Sequence, residues 1–479
     1  MRKAKAAFPQ YSKLHLSPSE SGTPGNHQNI TALYEGHLGG PTESKFIWEK
    51  VERLKIENYD HNIEGSILSK CKGILTSAEF IGLTSLNNIY LILVHCPNLR
   101  QLVFNNVVLQ YFESYLRYPV IKVNKLSEIV FQGEGKLTVE ELQVLDFFHL
   151  RMRFKSLEAI CFQTNTIEFD PSVRRKPGSY TDADANLNIF HTFIADYETR
   201  IKVLELNRAD LQLIKNEGRS SSKFASRVVL KMDLNTLIAN MGTVGFEKIL
   251  ISQRKLKVLH CYNTRQIAPR LFDQLSLSVE ICQNFLQEIR LTYKFIDPPA
   301  RASSSSVSVS KSQVSFSSRS RSKSKLGKML PVPHDLCTYK SCRHLKKLNI
   351  DISMADYPDK TYIHPGELQN LTCIPDSIST LILRFDIISP RQMHDVTRKF
   401  STMLRLKYFI FHGSPEHSYK VPMSWVQTLI KLPNLEIFEL HFCQINQDSI
   451  DLLFSTTPSL RLKLEFTPAS CIYWKNPVF

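Results

Sequence analysis

The sequence predicts an α/β solenoid, with short parallel strands on a concave face and helices on a convex one. Two observations carry that prediction. A strand-like hexamer, apolar-x-x-apolar-x-apolar, recurs along the chain at a nearly constant period, and the segments between its copies carry helix-start chemistry with helical apolar spacing. Composition is consistent with both: 43% of the 479 residues are apolar, enough for a continuous core, and the ten cysteines are scattered without the spacing of a disulfide framework.

Taken in order, the hexamer fits Val51/Leu54/Ile56, Leu99/Leu102/Phe104, Leu126/Ile129/Phe131, Leu157/Ile160/Phe162 and Ile201/Leu204/Leu206. It continues at Leu256/Leu259/Cys261, Leu286/Ile289/Leu291, Leu345/Leu348/Ile350, Ile378/Leu381/Leu383, Leu406/Phe409/Phe411 and Leu435/Phe438/Leu440. Weaker fits at Leu75/Ala78/Phe80 and Val229/Met232/Leu234 fall where a repeat is missing, and Leu460/Leu462/Leu464 has the look of a terminal strand. Starts at 51, 75 and 99 are 24 residues apart, and those at 201, 229, 256 and 286 are 28, 27 and 30 apart. A single hit means nothing in an apolar chain, but a run near a period of roughly 20–29 residues is that of a leucine-rich-repeat solenoid, or horseshoe. The long intervals, 157 to 201 and 286 to 345, both contain polar insertions.

Each strand is followed by helix signals. Thr138-Val139-Glu140-Glu141 is a capping box ahead of Leu142, Leu145 and Phe148. Ser389-Pro390 offers an N-cap with proline at the first helical position, followed by Met393, Val396, Phe400 and Met403 on one face. In Leu432–Ile450, LPNLEIFELHFCQINQDSI, alternation at Phe438, Leu440 and Phe442 gives a strand with one buried face, and Ile450, Leu453 and Phe454 follow at helical spacing. Neither element can bury its apolar side alone, so stacking about fourteen such units makes the core.

The expected organisation is a disordered tail over 1–45, leucine-rich repeats over 46–298, a disordered Ser/Arg/Lys-rich insertion over 299–330, and repeats with a C-terminal cap over 331–479. Net charge is +15, but seven basic residues and no acidic ones lie between Arg301 and Lys328, and four more, Arg2, Lys3, Lys5 and Lys13, lie near the start of the tail. The folded remainder is only mildly basic, so nucleic acid is not an expected partner. A nucleic-acid binder using the basic tracts remains a third reading, marked by steep salt dependence. The absence of a signal peptide and of any long apolar run points to a cytoplasmic and/or nuclear protein with no membrane partner. The Asn29-Ile30-Thr31 sequon is then accidental. In the insertion, Ser318, Ser320, Ser322 and Ser324 alternate with basic residues. Phosphorylation would reverse that charge, and a tolerated solvated loop is the alternative.

No catalytic constellation is found: no P-loop, no Gly-x-Ser-x-Gly, no His-Glu-x-x-His. Cys337 and Cys342 are alone in their region, so no metal is expected, and no cofactor. His441-Phe442-Cys443 resembles a dyad on paper, with His441 and Cys443 on one side of a strand, but it has no orienting acid. The expectation is a non-enzyme.

The pieces His95-Cys96-Pro97-Asn98-Leu99-Arg100-Gln101-Leu102 and Lys431-Leu432-Pro433-Asn434-Leu435 resemble the cysteine-containing leucine-rich repeats of F-box proteins, in which Cys-Pro-x-Leu ends one helix and starts the next strand. Cys443, Ile445 and Asp448 are similar to the family's Cys-x-x-Ile-Thr-Asp turn, and Ser341-Cys342-Arg343-His344-Leu345 and Gln253-Arg254-Lys255-Leu256 are looser versions. The resemblance spans residues 46–479. It implies a substrate-recruiting repeat module in an SCF-type ubiquitin ligase, where a separate F-box docks the Skp adaptor of a cullin. Residues 1–45 show no Leu-Pro-x-Glu start, no Ile-Phe-x-x-Leu helix and no Cys-x-x-Trp close. Either the F-box was lost, or the product is partial, or the repeats serve as a ubiquitin-independent scaffold or adaptor.

Strand alternation places the binding face. Residues between the buried ones point to the concave side, and those expected to contact a protein partner are Tyr262, Arg290, Arg384, Tyr408, Ile410, His412, Ile437, Glu439 and His441. Mixed charge there argues against phosphate tracking, and the aromatic and Arg anchors suit protein recognition.

Overall fold

The computed structural model describes residues 13–16, 52–58, 63, 68, 71, 73–109, 117–133, 137–164, 192–207, 232–240, 246–263, 269–295, 336–354, 371–385, 390–413, 419–457, 459–465 and 473–474. They fall into two compact units, Met1–Tyr262 and Asn263–Phe479. The insertion over 299–330, with its four serines, lies outside the described residues.

In the first unit the strands are β1 (Lys13–Leu16), β2 (Arg53–Glu57), β3 (Ser77–Thr84), β4 (Gln101–Leu109), β5 (Ile121–Val123), β6 (Glu128–Gly133), β7 (Met152–Phe154), β8 (Ala159–Thr164), β9 (Val203–Leu206), β10 (Thr236–Asn240) and β11 (Val258–Asn263). They pair in the order β1-β2-β3-β4-β6-β8-β9-β10-β11, with β5 and β7 forming a separate parallel pair. Every pairing of the main sheet here is parallel and joins one repeat to the next, which makes the chain a leucine-rich-repeat solenoid. β1 lies inside the stretch expected to be a tail, so four of those residues join the sheet.

The hexamer maps onto this register. Its fourth and sixth positions, such as Leu102 and Phe104 or Ile129 and Phe131, are fully buried. The sixth position carries phenylalanine in four successive repeats: Phe80, Phe104, Phe131 and Phe162 stack with ring centroids 5.5, 5.1 and 5.4 Å apart. Each such contact contributes about 0.5–1.5 kcal/mol beyond its buried area. Helix α1 (Leu86–His95) is capped by Ser85, whose hydroxyl accepts from the Asn88 N–H. Helix α2 (Val139–Arg151) opens on the expected capping box, with both reciprocal bonds between Thr138 and Glu141 formed. Phe148 of α2 packs on Phe104 at 5.9 Å, closing the core over the sheet. Helix α3 (Phe246–Ser252) precedes β11.

A repeated backbone device sets the register. Just after the first apolar residue of each hexamer, two successive N–H groups donate to one carbonyl of the preceding repeat: Arg100 and Gln101 to Thr76, Ser127 and Glu128 to Arg100, Lys202 and Val203 to Glu158. The device corrects one frame. Asn235 and Thr236 donate to the Lys202 carbonyl, so the repeat reads Leu234/Leu237/Ala239, not Val229/Met232/Leu234. The corrected intervals are 33 residues from 201 and 22 to 256.

The second unit holds helix α4 (Pro269–Cys282) and strands β12 (Glu288–Phe295), β13 (Lys347–Met354), β14 (Thr380–Phe385), β15 (Tyr408–His412), β16 (Tyr419–Lys420), β17 (Ile437–His441), β18 (Cys443–Gln444), β19 (Arg461–Glu465) and β20 (Tyr473–Trp474). The order is β12-β13-β14-β15-β17-β19-β20, parallel except for the last, antiparallel pair. Helix α5 (Pro390–Phe400) starts at the expected proline and buries Val396 and Phe400, and Met403 beyond its end is buried as well. Helix α6 (Met423–Leu429) places the fully buried Trp425 edge-on against Phe411 (5.2 Å, 88°) and Phe409. Helix α7 (Gln447–Thr456) is capped by the Asn446 side chain.

The alternation expected over Leu432–Ile450 ends one residue early. Phe442 has φ 55°, a left-handed conformation that breaks the strand. The third inward side chain is therefore Cys443, which is buried, while Phe442 is only half-buried. Gly413 sits against this kink: a Cβ there would meet the Phe442 carbonyl at 2.9 Å.

Candidate functional site

The register of the second unit assembles three rows of side chains on the sheet face turned away from the helices. The row nearest the strand starts is Glu288, Lys347, Thr380, Tyr408, Ile437 and Arg461. The middle row is Arg290, Asn349, Ile382, Ile410, Glu439 and Lys463, and the third is Thr292, Asp351, Arg384, His412 and His441. Eight of the nine expected contact residues thus share one face of one unit. The ninth, Tyr262, belongs to β11 in the first unit.

Most charges on this face are paired, chiefly across strands. Lys347 Nζ lies 2.8 Å from Glu288, and Arg384 Nε lies 3.6 Å from Asp351. Glu439 is held by Lys463 Nζ at 3.6 Å and by His441 Nε2 at 3.2 Å. The imidazoles of His412 and His441 stack with centroids 4.0 Å apart. Burial, with the neighbouring His441, Arg384 and Lys463 adding to it, pushes the His412 imidazole down to about 3. Between these polar groups lie Ile382, Ile410, Tyr408 and Ile437, each half-buried and adjacent in register. The Tyr408 hydroxyl bonds Glu436 Oε2 at 3.2 Å. Two buried oxygens, Thr292 Oγ1 and Asn349 Oδ1, make no hydrogen bond among the described residues.

The corresponding face of the first unit is different in kind. Val103, Val130 and Cys161 are buried together there, with Val203 packed against them, so Val103 is not the exposed contact that its strand phase alone implies. Amide ladders cross the repeats beside them. Gln101 Nε2 donates to Glu128 at 2.8 Å, and Glu205 accepts from Gln163 at 2.7 Å and from Asn207 at 2.6 Å. Burial raises the Glu205 carboxyl above its usual range, against the hydrogen bonds that lower it. This ladder was invisible in the sequence because Gln and Asn at alternate positions carry no signal until the register aligns them.

The His441–Cys443 pair is not a dyad. The Cys443 thiol donates to the His441 carbonyl at 3.3 Å, not to the ring. Burial pushes that thiol up to about 12, so it stays protonated. The kink at Phe442 turns Cys443 into the core. Among the described residues no group of three or more His, Cys, Asp or Glu side chains could hold a metal ion, and no helix is long and apolar enough to cross a membrane.

Sequence reasoning also missed a groove at the leading ends of the strands, lined by Arg343, His344, Lys346, Ser377, Ser379, Arg405, Lys407 and Asn434 and about 350 Å³ in volume. All of these residues flank the first apolar residue of a hexamer, and that position was the available signal.

No family model matches the chain, and no curated protein does. Among solved structures, a TLR13–ssRNA13 complex aligns at 11% identity and a TM-score of 0.41, over 88% of this chain and 53% of that one. The chain thus spans about half the length of that receptor. The Leptospira interrogans LRR protein LIC12759 aligns at 12% identity and a TM-score of 0.34, over 87% of this chain and 91% of that one. The assignment of this chain to the leucine-rich-repeat fold rests on its own strand register and on the carbonyl device that repeats with it.

Proposed function

We propose that the chain is a non-catalytic protein-binding module whose partner docks on the three-row face of the second unit. The observation that carries this reading is the patch of Ile382, Ile410, Tyr408 and Ile437. Its side chains are half-exposed and contiguous, and most of the charges around it are already paired. A face neutralised in this way gains little from long-range attraction and favours a partner that covers apolar and aromatic groups. Arg384 and His412 at its edge supply polar contacts that fix orientation. The finer reading, from the resemblance to F-box proteins, is a substrate receptor of a cullin-based ubiquitin ligase or a relative without its F-box. A ubiquitin-independent scaffold in the cytoplasm or nucleus is the alternative.

Affinity purification of the tagged full chain from its native cells, beside a Tyr408→Ala/Ile410→Ala variant, tests both levels. Loss of one near-stoichiometric protein from the variant supports the face. Co-purification of the Skp adaptor and a cullin supports the ligase reading, and their absence beside another retained protein supports the scaffold. An unchanged set of partners overturns the assignment of the face.

A further inference from the structure

The groove at the leading ends of the strands has a chemistry that the docking face lacks. It crosses four successive repeats of the second unit, the last of them contributing Asn434. The first and third of these contribute basic side chains, His344 and Lys346 on one side and Arg405 and Lys407 on the other, at the same two positions around Leu345 and Leu406. Arg343 adds a fifth basic side chain. The repeat between them has serine at both equivalent positions. Its hydroxyls are turned back into the backbone, Ser377 donating to the Leu345 carbonyl at 2.8 Å and Ser379 to the Lys346 carbonyl at 3.1 Å. Small residues in the middle leave the hollow, and long cationic ones form its rims.

No carboxylate lines the groove. Lys407 is paired with Glu436 at 2.8 Å, but among the described residues Arg343, Lys346 and Arg405 have no carboxylate partner. Most charges of the docking face are paired, so three cations without a carboxylate partner among the described residues, gathered around one hollow, mark a site for an anion from outside. Two of them are guanidiniums, whose planar forks match the oxygens of a phosphoryl group better than those of a single carboxylate. The backbone N–H groups beneath are already committed to the carbonyl device, Ser379 and Thr380 to Lys346 and Lys407 and Tyr408 to Ser379. Recognition therefore falls to the side chains.

We propose that this groove receives a phosphorylated serine or threonine of a protein partner. A phosphate carries about −1.5 to −2 charges near neutral pH, and three cations converge on it. Single-stranded nucleic acid fits less well. No Phe, Tyr or Trp lines the groove, which leaves the His344 imidazole as its single stacking surface for a base, and Glu436 closes the positive stretch at the Lys407 rim, too soon for a backbone of successive phosphates. The inference is independent of the docking face, because none of its residues belongs to the three rows.

The test uses the full chain purified from bacteria and three immobilised degenerate peptide pools with a fixed central phosphoserine, serine or glutamate. A fluorescein-labelled single-stranded RNA 12-mer is measured alongside. The expected result is at least tenfold greater retention on the phosphoserine pool than on the other two. That excess should be lost in the Arg343→Gln/Lys346→Gln/Arg405→Gln variant, whose exposed substitutions leave thermal unfolding unchanged. Equal retention on the three pools overturns the proposal, as does retention that survives the triple variant. Tighter binding of the RNA through the same three residues also overturns it and assigns the groove to nucleic acid.

Discussion

His412 stacks on His441 across neighbouring repeats, ring planes 17° apart, with Arg384 and Lys463 close enough to oppose a charge on it. The unfolded chain takes up a proton on this imidazole near the ordinary value of about 6.5, whereas the folded chain resists until about 3. The unfolded state thus binds more protons between those values, and stability falls as pH drops. Linkage gives a loss of roughly 2 kcal/mol between pH 7 and pH 5. His412→Phe keeps a ring in the stack and removes the titration. Urea unfolding at both pH values should show a pH dependence smaller by about that amount in the variant. Identical dependence in the two proteins would mean that the imidazole is solvated.

Lys399 is nine-tenths buried on α5 and bonds Asp376, which also accepts from the Thr402 hydroxyl at 2.8 Å. Burial pushes the Asp376 carboxyl up, but the bonds from Lys399 and Thr402 outweigh it, and the net position is below the usual carboxylate value. Its contribution is present above the unfolded value near 4 and is lost as pH falls below it. Asp376→Ala leaves a buried ammonium without its acid and should cost about 1–2 kcal/mol, since the carboxylate itself is largely exposed. Adding Lys399→Met should recover most of that loss. A chemical-denaturation double-mutant cycle reads the coupling directly.

Asn98 and Asn434 do the same work in distant repeats. Each side-chain amide donates to a carbonyl two residues before the first apolar position of the preceding hexamer, Asn98 to Gly73 at 2.7 Å and Asn434 to Leu404 at 2.8 Å. The Pro-Asn-Leu that carries the family resemblance is thus an inter-repeat clamp. Asn434→Ala should cost about 1 kcal/mol by loss of one hydrogen bond at an exposed site, and Asn98→Ala at least as much, because Asn98 Oδ1 also accepts from Lys125 Nζ. The two effects should add because the sites share no partner. Hydrogen exchange at the neighbouring strand starts would rise locally in each variant.

The strand frame was legible because burial requires an apolar residue at the same three positions in every coil. Leu102/Phe104 and Phe409/Phe411 show it directly. The frame failed at Leu234, which closes one hexamer, Val229/Met232/Leu234, and opens another, Leu234/Leu237/Ala239. Alanine at the sixth position weakens the true match, and only the hydrogen bonds from Asn235 and Thr236 to Lys202 separate the two. The Phe442 kink was hidden because a positive φ leaves no trace in hydrophobic alternation. Membership of the outward rows follows from period two alone, and the register puts Arg384, Tyr408, Ile410 and Glu439 in those rows. Their environment was not legible, because pairing such as Arg384 with Asp351 joins residues of different repeats. The basic groove has the same cause: Lys346 and Lys407 are 61 residues apart in sequence, with serines between them in the stack.

Leu381 and Tyr408 separate the core from the face. Leu381 is 1% exposed, at the fourth hexamer position of β14, with Leu348 and Phe409 in register on either side. Leu381→Asp puts a carboxylate where no cation can reach it, and its desolvation together with the lost packing should exceed about 4 kcal/mol and unfold the adjoining repeats. Tyr408 begins the next strand and is half-exposed, its hydroxyl bonded to Glu436, which Lys407 also holds. Tyr408→Ala removes one exposed hydrogen bond and part of a ring contact, a loss of about 1 kcal/mol or less. Circular-dichroism melts of the two variants should therefore diverge widely, with Tyr408→Ala near the parent while its partner affinity falls. If Tyr408→Ala lowers Tm as far as Leu381→Asp does, the tyrosine is a core residue and does not belong to the docking face.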